Sequence, residues 1–88
     1  MPDHIEVHPR VMRRHPELTP EDVAHAWGNR VAEAFRVGAS PECVCAVGFD
    51  RAGRMVEMVA VELADGTPLV YHAMTPPSRK TLAEVGLG

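Results

Sequence analysis

The chain has 88 residues; 45% of them are hydrophobic, and its aromatic residues are one Trp, one Tyr and two Phe. That apolar share excludes a disordered chain, and the length suits one small domain over residues 1–88. Nine Lys and Arg against twelve Asp and Glu give a net charge of −3. This acidic balance excludes a globally basic nucleic-acid-binding protein, so any contact with RNA must rest on a local patch.

Composition also bears on assembly and location. Because aromatics are few, Val, Ala, Met and Leu must fill the core, and such a core is often completed by a second copy, so we expect a homodimer. No apolar run approaches the length of a membrane span, and the opening MPDHIEVHPR has acidic residues and no long apolar stretch. We therefore expect a cytoplasmic protein without a signal peptide or membrane contact.

The segment HPRVMRRHP predicts a short first helix over Arg10–Arg14, with a proline at each end. Arg10, Arg13 and Arg14 are three and four residues apart, so a helix gathers them on one face. Together with His15 they form a local positive patch.

The segment LTPEDVAHAW predicts a second helix with Thr19 as N-cap, Pro20 at the first helical position and two acidic residues in the first turn. Apolar residues at helical spacing continue to Trp27, which we expect in the core. Gly28-Asn29 then favours a break, and RVAEAFRV predicts a strand over residues 31–37, although a continued helix has a compatible pattern.

Three β-type runs follow, CVCAVGF, RMVEMVAVEL and PLVYHAM, joined by the turn segments DRAG and ADGT. They predict an antiparallel meander. If Asp65-Gly66 is a two-residue turn, Val59 lies opposite His72 and Glu57 lies opposite Met74. In that register Glu57 and His72 are diagonal neighbours on one face of the sheet, within reach of each other's side chains.

The last segment, SRKTLAEVGLG, predicts a closing helix with Ser78 as N-cap and Gly86 as its stop. The expected fold is α+β. It has a small, mainly antiparallel sheet made of the three-strand meander and a fourth strand, with two N-terminal helices and a C-terminal helix, the helices covering one face.

The cysteines and histidines do not predict a metal site. Cys43 and Cys45 are two residues apart, which suits reduced thiols packed as small hydrophobes better than a disulfide. Metal binding would need further ligands, and no second CxC or CxxC motif is present. We expect no metal and no cofactor.

With these segments in order, the chain resembles the BrnT-like toxins of the RelE-type ribonuclease toxin superfamily. The segment RRHPELTPEDVAHAW is similar to their basic turn and capped helix, and AVGFDRAGRMVEMVAVELADGTPLVYHAM is similar to their central hairpins. The resemblance implies a sheet with helices on one side, and cytosolic RNA cleavage restrained by a cognate antitoxin. Where such toxins usually carry an arginine at the end of the last strand, this chain has Met74.

Metal-independent RNA cleavage needs a group that takes the 2′-hydroxyl proton, one that protonates the leaving oxygen, and cations for the phosphorane. His72, poised by Glu57, is the candidate for proton transfer, because the ordinary pKa of histidine lies near neutral pH. The structural alternative for His72 is a hydrogen-bonded strand residue without a catalytic role.

Two groups of residues are candidates for binding RNA phosphates. The first is the helix face with Arg10, Arg13 and Arg14; the second is the start of the closing helix. The residues at the second site are Ser78, Arg79 and Lys80. The structural alternatives are an exposed helix face, a docking surface for an acidic partner, and an ordinary N-cap followed by solvated cations.

Three functions therefore remain open from the sequence. The first is an endoribonuclease toxin of a toxin–antitoxin pair, acting without a metal. The second is a non-catalytic relative that binds a partner protein, which the net acidity and Met74 favour. The third is a small-ligand module with a pocket on the sheet around His72.

Overall fold

The computed structural model of the protein describes residues 4–36, 38 and 42–88. The elements in chain order are β1 (Glu6–Val7), α1 (Arg10–Arg14), α2 (Pro20–Gly28), β2 (Arg30–Arg36), β3 (Cys43–Phe49), β4 (Met55–Glu62), β5 (Pro68–Met74) and α3 (Arg79–Glu84). The strands form one sheet in the order β1-β5-β4-β3-β2, in which only the β1–β5 pair is parallel. The predicted α+β fold with a mainly antiparallel sheet is confirmed.

The sheet has the four predicted strands and one further strand, β1. The predicted fourth strand is β2, which pairs with β3 and extends the meander to four antiparallel strands. β1 was not predicted; its two residues pair with Leu69 and Val70 of β5. The predicted end of β2 at residue 37 and most of the following loop lie outside the described residues.

Local sequence signals account for the two N-terminal helices. α1 has the predicted bounds. α2 begins with a capping box, in which Thr19 Oγ1 accepts from Asp22 N–H at 3.1 Å and Asp22 Oδ2 accepts from Thr19 N–H at 3.0 Å. This reciprocal pair satisfies two donors at the helix start that have no partner within the helix. α2 ends at Gly28, one residue beyond the predicted end at Trp27.

Both N-terminal helices cover one face of the sheet and form the main core with it. The helices contribute Val11, Leu18, Val23, Ala26 and Trp27, and the strands contribute Ala46, Val56, Met58, Ala60, Val70 and Ala73. Trp27 is a core residue, as predicted. α2 packs so closely on β3 that a Cβ built on Gly48 would lie 2.0 Å from the Ala26 carbonyl oxygen. Glycine is therefore required at this crossing.

α3 lies on the opposite face, so the expectation that helices cover one face is wrong. Its first turn contacts Glu57, whose side chain alternates with the core residues Val56 and Met58. At its other end, Arg36 Nε and Nη2 donate to the Glu84 carboxylate at 2.8 and 3.0 Å. α3 covers a second, smaller apolar cluster made of Cys43, Cys45 and Val59 with Val61, Tyr71 and Val85.

The β4–β5 hairpin has the predicted register. Val59 lies opposite His72, and Glu57 lies opposite Met74. All four side chains therefore belong to the face that α3 covers. This register brings Glu57 and His72 into contact.

The turn of this hairpin differs from the prediction. Asp65-Gly66 is not a two-residue turn: Leu63 N–H donates to Thr67 O at 2.8 Å, and these two residues enclose a three-residue loop. Within it, Gly66 N–H donates to Leu63 O at 2.9 Å, and Gly66 has a φ of 88°. A type I turn followed by a left-handed glycine is a common three-residue hairpin loop. By itself, this loop would displace the register by one residue.

A β-bulge in β5 restores that register. Ala60 pairs with Val70, but the next pair joins Val59 to His72, so Tyr71 is the extra residue on β5. Tyr71 packs against the apolar cluster on the α3 face, and His72 lies opposite Val59 on that same face. The bulge therefore places two consecutive side chains, Tyr71 and His72, on one side of the sheet.

The turn between β3 and β4 is held by a buried carboxylate. Asp50 Oδ1 accepts from the N–H groups of Ala52 and Arg54 at 3.0 and 2.9 Å, and Asp50 Oδ2 accepts from Arg54 Nε at 2.8 Å. Arg54 Nη2 also lies 3.4 Å from Asp22 Oδ2 at the start of α2. Arg54, at the end of this turn, therefore has a structural role.

Both cysteines are free and buried, as predicted. Burial raises the pKa of the Cys45 thiol to about 11, so this thiol is protonated at neutral pH. Among the described residues, no helix is both long and apolar enough to cross a membrane.

Candidate functional site

The centre of the candidate site is a contact between His72 on β5 and Glu57 on β4. His72 Nε2 lies 2.7 Å from Glu57 Oε2. The Glu57 side chain is 6% exposed, whereas the His72 side chain is 31% exposed. A buried carboxylate thus supports an imidazole that solvent and a ligand can reach.

The chemistry of this contact defines the tautomer of a neutral His72. A carboxylate can only accept a hydrogen bond, so His72 Nε2 carries the proton and donates to Glu57. Nδ1 is then the nitrogen with a free lone pair. Glu57 would also stabilise the positive charge if Nδ1 took up a second proton, which is the role of the carboxylate in a catalytic triad.

Ser78 holds the other oxygen of Glu57. Glu57 Oε1 accepts from Ser78 N–H at 2.7 Å and from the Ser78 hydroxyl at 2.9 Å. The same hydroxyl accepts from Thr81 N–H at 3.2 Å and so caps α3, as predicted. Ser78 was also predicted to bind phosphate, but here its two donors are directed at Glu57. An internal carboxylate therefore occupies the place predicted for an external anion.

These hydrogen bonds determine the charge of Glu57. Burial alone would raise its pKa, but the donors of Ser78 and His72 outweigh burial, and the pKa of Glu57 lies below its ordinary value. Glu57 is consequently a carboxylate at neutral pH, despite its position between the sheet and α3.

A second imidazole lies beside the first. The rings of His15 and His72 meet edge to face, with 6.4 Å between their centroids. His15 follows α1 directly and is 29% exposed in its side chain; its Nδ1 lies 3.7 Å from Glu17. The sequence placed His15 only in the positive patch of α1. Its contact with His72 depends on how α1 packs against β5, for which no sequence signal exists.

The three arginines of α1 line one open groove. It has a volume of about 710 Å³ and lies between α1 and the β4–β5 strands. We call it the arginine groove; its lining residues are His8, Arg10, Arg13, Arg14, Val61, Leu69 and Tyr71. The predicted gathering of these arginines on one helix face is therefore realised. Tyr71 in the groove is followed directly by His72.

Arg79 and Lys80, the other predicted phosphate-binding residues, do not line the arginine groove. Both are exposed in the first turn of α3, next to Ser78. Along β5, the order is the groove at Leu69 and Tyr71, then His72, and then the corner leading to α3. His72 thus lies between two separate basic groups rather than beside a single one.

Met74 lies directly opposite Glu57, on the same face. This is the position at which the resemblance expects an arginine. An arginine there would have the Glu57 carboxylate within its reach. With methionine at this position, the side-chain donors to Glu57 come from His72 and Ser78.

Over residues 4–36, 38 and 42–88, no group of three or more His, Cys, Asp or Glu side chains is arranged to hold a metal ion. His8 Nδ1 accepts from the backbone N–H of Arg10 at 3.1 Å, at the start of α1. His25 Nδ1 lies 3.2 Å from Phe49 O. Both histidines therefore make structural contacts with the backbone.

Comparison of the chain with protein-family models, with curated proteins and with solved structures gives no match.

Proposed function

We propose that this protein is a metal-independent endoribonuclease that acts as the toxin of a toxin–antitoxin pair. The observation that carries the proposal is the 2.7 Å contact between the accessible imidazole of His72 and the buried carboxylate of Glu57. An oriented and charge-stabilised imidazole is the usual device for moving protons near neutral pH.

In the proposed reaction, His72 Nδ1 takes the proton of the 2′-hydroxyl while that oxygen attacks the adjacent phosphorus. The bond from phosphorus to the 5′-oxygen then breaks, leaving a 2′,3′-cyclic phosphate and a 5′-hydroxyl end. Glu57 stabilises the imidazolium that forms on His72. The 2′-hydroxyl requirement makes RNA, not DNA, the substrate.

The leaving 5′-oxygen needs a proton, which His15 supplies in this proposal. Its ring lies next to that of His72, with the centroids 6.4 Å apart, and it is reachable from solvent. Two imidazoles with opposite protonation can serve as base and acid in the same step. Arg13 and Arg14 end α1 directly before His15, and their guanidinium groups offset the charge of the phosphorane.

The toxin role and the cognate antitoxin rest on the resemblance to BrnT-like toxins. A partner that binds α1 or the sheet edge near His72 would restrain RNA cleavage by covering the imidazoles. An acidic segment suits this role, since Arg10, Arg13 and Arg14 share one groove.

The test is induced expression of the wild type beside His72→Ala, with total RNA examined for cleavage and purified protein assayed on RNA. His4→Ala is the matched control, because His4 is exposed and outside the site. We expect growth arrest and RNA cleavage for the wild type and His4→Ala, but not for His72→Ala. Harmless expression with intact RNA for the wild type would refute the enzyme.

A second candidate function is a non-catalytic protein that binds a partner, either an antitoxin-like protein or a second copy. The observation that favours it is the exposure of Phe35 and Val31, 71% and 55%, on β2 at the end of the sheet. An apolar edge strand is suited to pairing with another chain. Phe35→Ser would then abolish complex formation and leave the fold intact, whereas RNA cleavage would be absent throughout.

A further inference from the structure

We propose that the arginine groove is the subsite for the nucleotide that flanks the scissile phosphate, with the base on the apolar floor and the phosphate on the arginines. The inference deepens the proposed function and rests on it for the reaction that takes place at His72. Binding in the groove can nevertheless be measured on strands that cannot be cleaved.

The charge of the groove fits a phosphate strand. The whole chain has a net charge of −3, yet the lining of the groove contains three arginines and no Asp or Glu. The single hydroxyl, that of Tyr71, adds no negative charge, because burial and the thiol of Cys43 raise the pKa of Tyr71. The groove is therefore a local cationic region on an acidic protein.

The three arginines of the groove are also free to bind an external anion. Arg30, Arg36 and Arg54 each form an ion pair with a carboxylate of the chain. In the described part of the chain, no such pair involves Arg10, Arg13 or Arg14. An incoming phosphate would thus not have to displace an internal partner.

The residues on the floor of the groove suit a nucleobase, in addition to the phosphate that the arginines would bind. Val61, Leu69 and Tyr71 are half-buried and form an apolar surface with one aromatic ring. A volume of about 710 Å³ lies within the usual range of small-ligand sites, roughly 300–1,000 Å³, and far exceeds one phosphate group. A nucleobase offers the flat apolar face that such a floor accepts, and stacking on a protein surface is tolerant of base identity.

The β-bulge connects this floor to the reacting group. Because Tyr71 and His72 are consecutive and share one face, a base resting on Tyr71 brings its own phosphodiester next to His72. A base inside a duplex has both faces stacked and could not rest on this floor. The subsite therefore selects an unpaired nucleotide, with little preference for its sequence.

The experiment measures binding of fluorescent 2′-O-methyl oligonucleotides, which lack the attacking hydroxyl, by anisotropy at several salt concentrations. Three probes are compared: a single strand, the same strand in a duplex, and a strand of equal length with abasic sites. Inorganic pyrophosphate serves as an unlabelled competitor. We expect the single strand to bind most tightly, with a log–log salt slope of about −2 if three arginines contact phosphates.

Two variants locate the binding. Arg13→Gln removes a cation of the groove, and Arg51→Gln is the matched control, since Arg51 is exposed and does not line the groove. We expect Arg13→Gln to weaken binding and to make the salt slope shallower by about 0.7, with Arg51→Gln unchanged. Neither change affects a buried side chain, so both variants should fold.

Several results would overturn the subsite. Equal binding of the abasic strand would show that only phosphates are held, and equal binding of the duplex would show that the base need not be unpaired. The subsite would also be refuted if pyrophosphate bound and no oligonucleotide did, or if Arg13→Gln and Arg51→Gln weakened oligonucleotide binding equally. If the single strand binds as expected but RNA is not cleaved, the subsite stands and the proposed ribonuclease fails. If RNA is cleaved but no probe binds in the groove, the proposed ribonuclease stands and the subsite fails.

Discussion

Tyr71 and His72 are consecutive residues, yet both side chains lie on the same face of the sheet, because Tyr71 is the extra residue of a β-bulge. In a regular strand, successive side chains point to opposite faces. Without the bulge, one of these two residues would point into the core formed with α1 and α2. The bulge therefore joins the arginine groove to His72 and its neighbour His15.

Ser78→Ala should reduce both stability and RNA cleavage. The variant loses the N-cap of α3, which costs about 1 kcal/mol of unfolding free energy. It also loses the hydroxyl donor to Glu57 but keeps the backbone donor at 2.7 Å. Because Ser78 holds Glu57 and does not contact RNA in the proposed reaction, we expect kcat to fall with KM unchanged. Thermal unfolding and cleavage kinetics check this, and Ser78→Thr should restore both.

Stability in acid should depend on Glu57. The folded-state pKa of Glu57 lies below its ordinary value of 4.5, so its stabilising effect is complete above pH 4.5. This effect is lost as the pH falls through the lowered folded-state pKa. The difference in unfolding free energy between wild type and Glu57→Gln should therefore shrink below pH 4.5.

Urea unfolding of both proteins across this pH range measures that difference. Asp50 and Glu84 also have lowered pKa values, so both proteins will still lose stability in acid. A difference that stays constant down to low pH would contradict the role assigned to the Glu57 carboxylate.

The crossing of α2 over β3 should not tolerate a side chain at Gly48. A Cβ there would lie 2.0 Å from Ala26 O, so Gly48→Ala must displace the helix. We expect the free energy of unfolding to fall by roughly 1–3 kcal/mol. Gly28→Ala is the control, because no atom lies within 4 Å of its added Cβ, and alanine is the better helix former. Urea unfolding should show a clear loss for the first variant and none for the second.

The two thiols should react slowly in the native protein. Cys43 and Cys45 are both buried, and the Cys45 pKa of about 11 leaves little thiolate at neutral pH. Labelling with a thiol reagent should thus follow global or local unfolding, and urea should accelerate it strongly.

The raised pKa of Cys45 also predicts how stability depends on pH. Its contribution to the free energy of unfolding is complete below pH 9.0, the ordinary thiol pKa, and is lost as the pH rises from 9 to about 11.

Much of the fold could be predicted because its signals are local. The capping box at Thr19 and the prolines beside α1 define the two N-terminal helices without reference to the rest of the chain. Alternation and turn residues define the strands of the meander. The side of the sheet that α3 covers has no such signal, since it depends on Ser78 meeting Glu57 and on Arg36 meeting Glu84.

The prediction of the Glu57–His72 contact was correct although one of its premises was wrong. The turn is one residue longer than the assumed Asp65-Gly66 pair, and the bulge at Tyr71 compensates for that difference. Neither departure was visible in the predicted register, because the longer turn and the bulge shift it by one residue in opposite directions and so cancel at His72. The contact between His15 and His72 joins residues far apart in the chain and could be found only from the packed structure.

The hydroxyl of Ser78 has a consequence for how the protein can be observed. It caps a six-residue helix and donates to Glu57, so helix formation and the ionisation of that carboxylate are thermodynamically linked. This linkage is reciprocal. The free energy by which folding of α3 favours the charged form of Glu57 equals the free energy by which the charge on Glu57 favours folding of α3. Amide hydrogen exchange in α3 is therefore a direct reporter of the protonation state of the site, without substrate and without turnover.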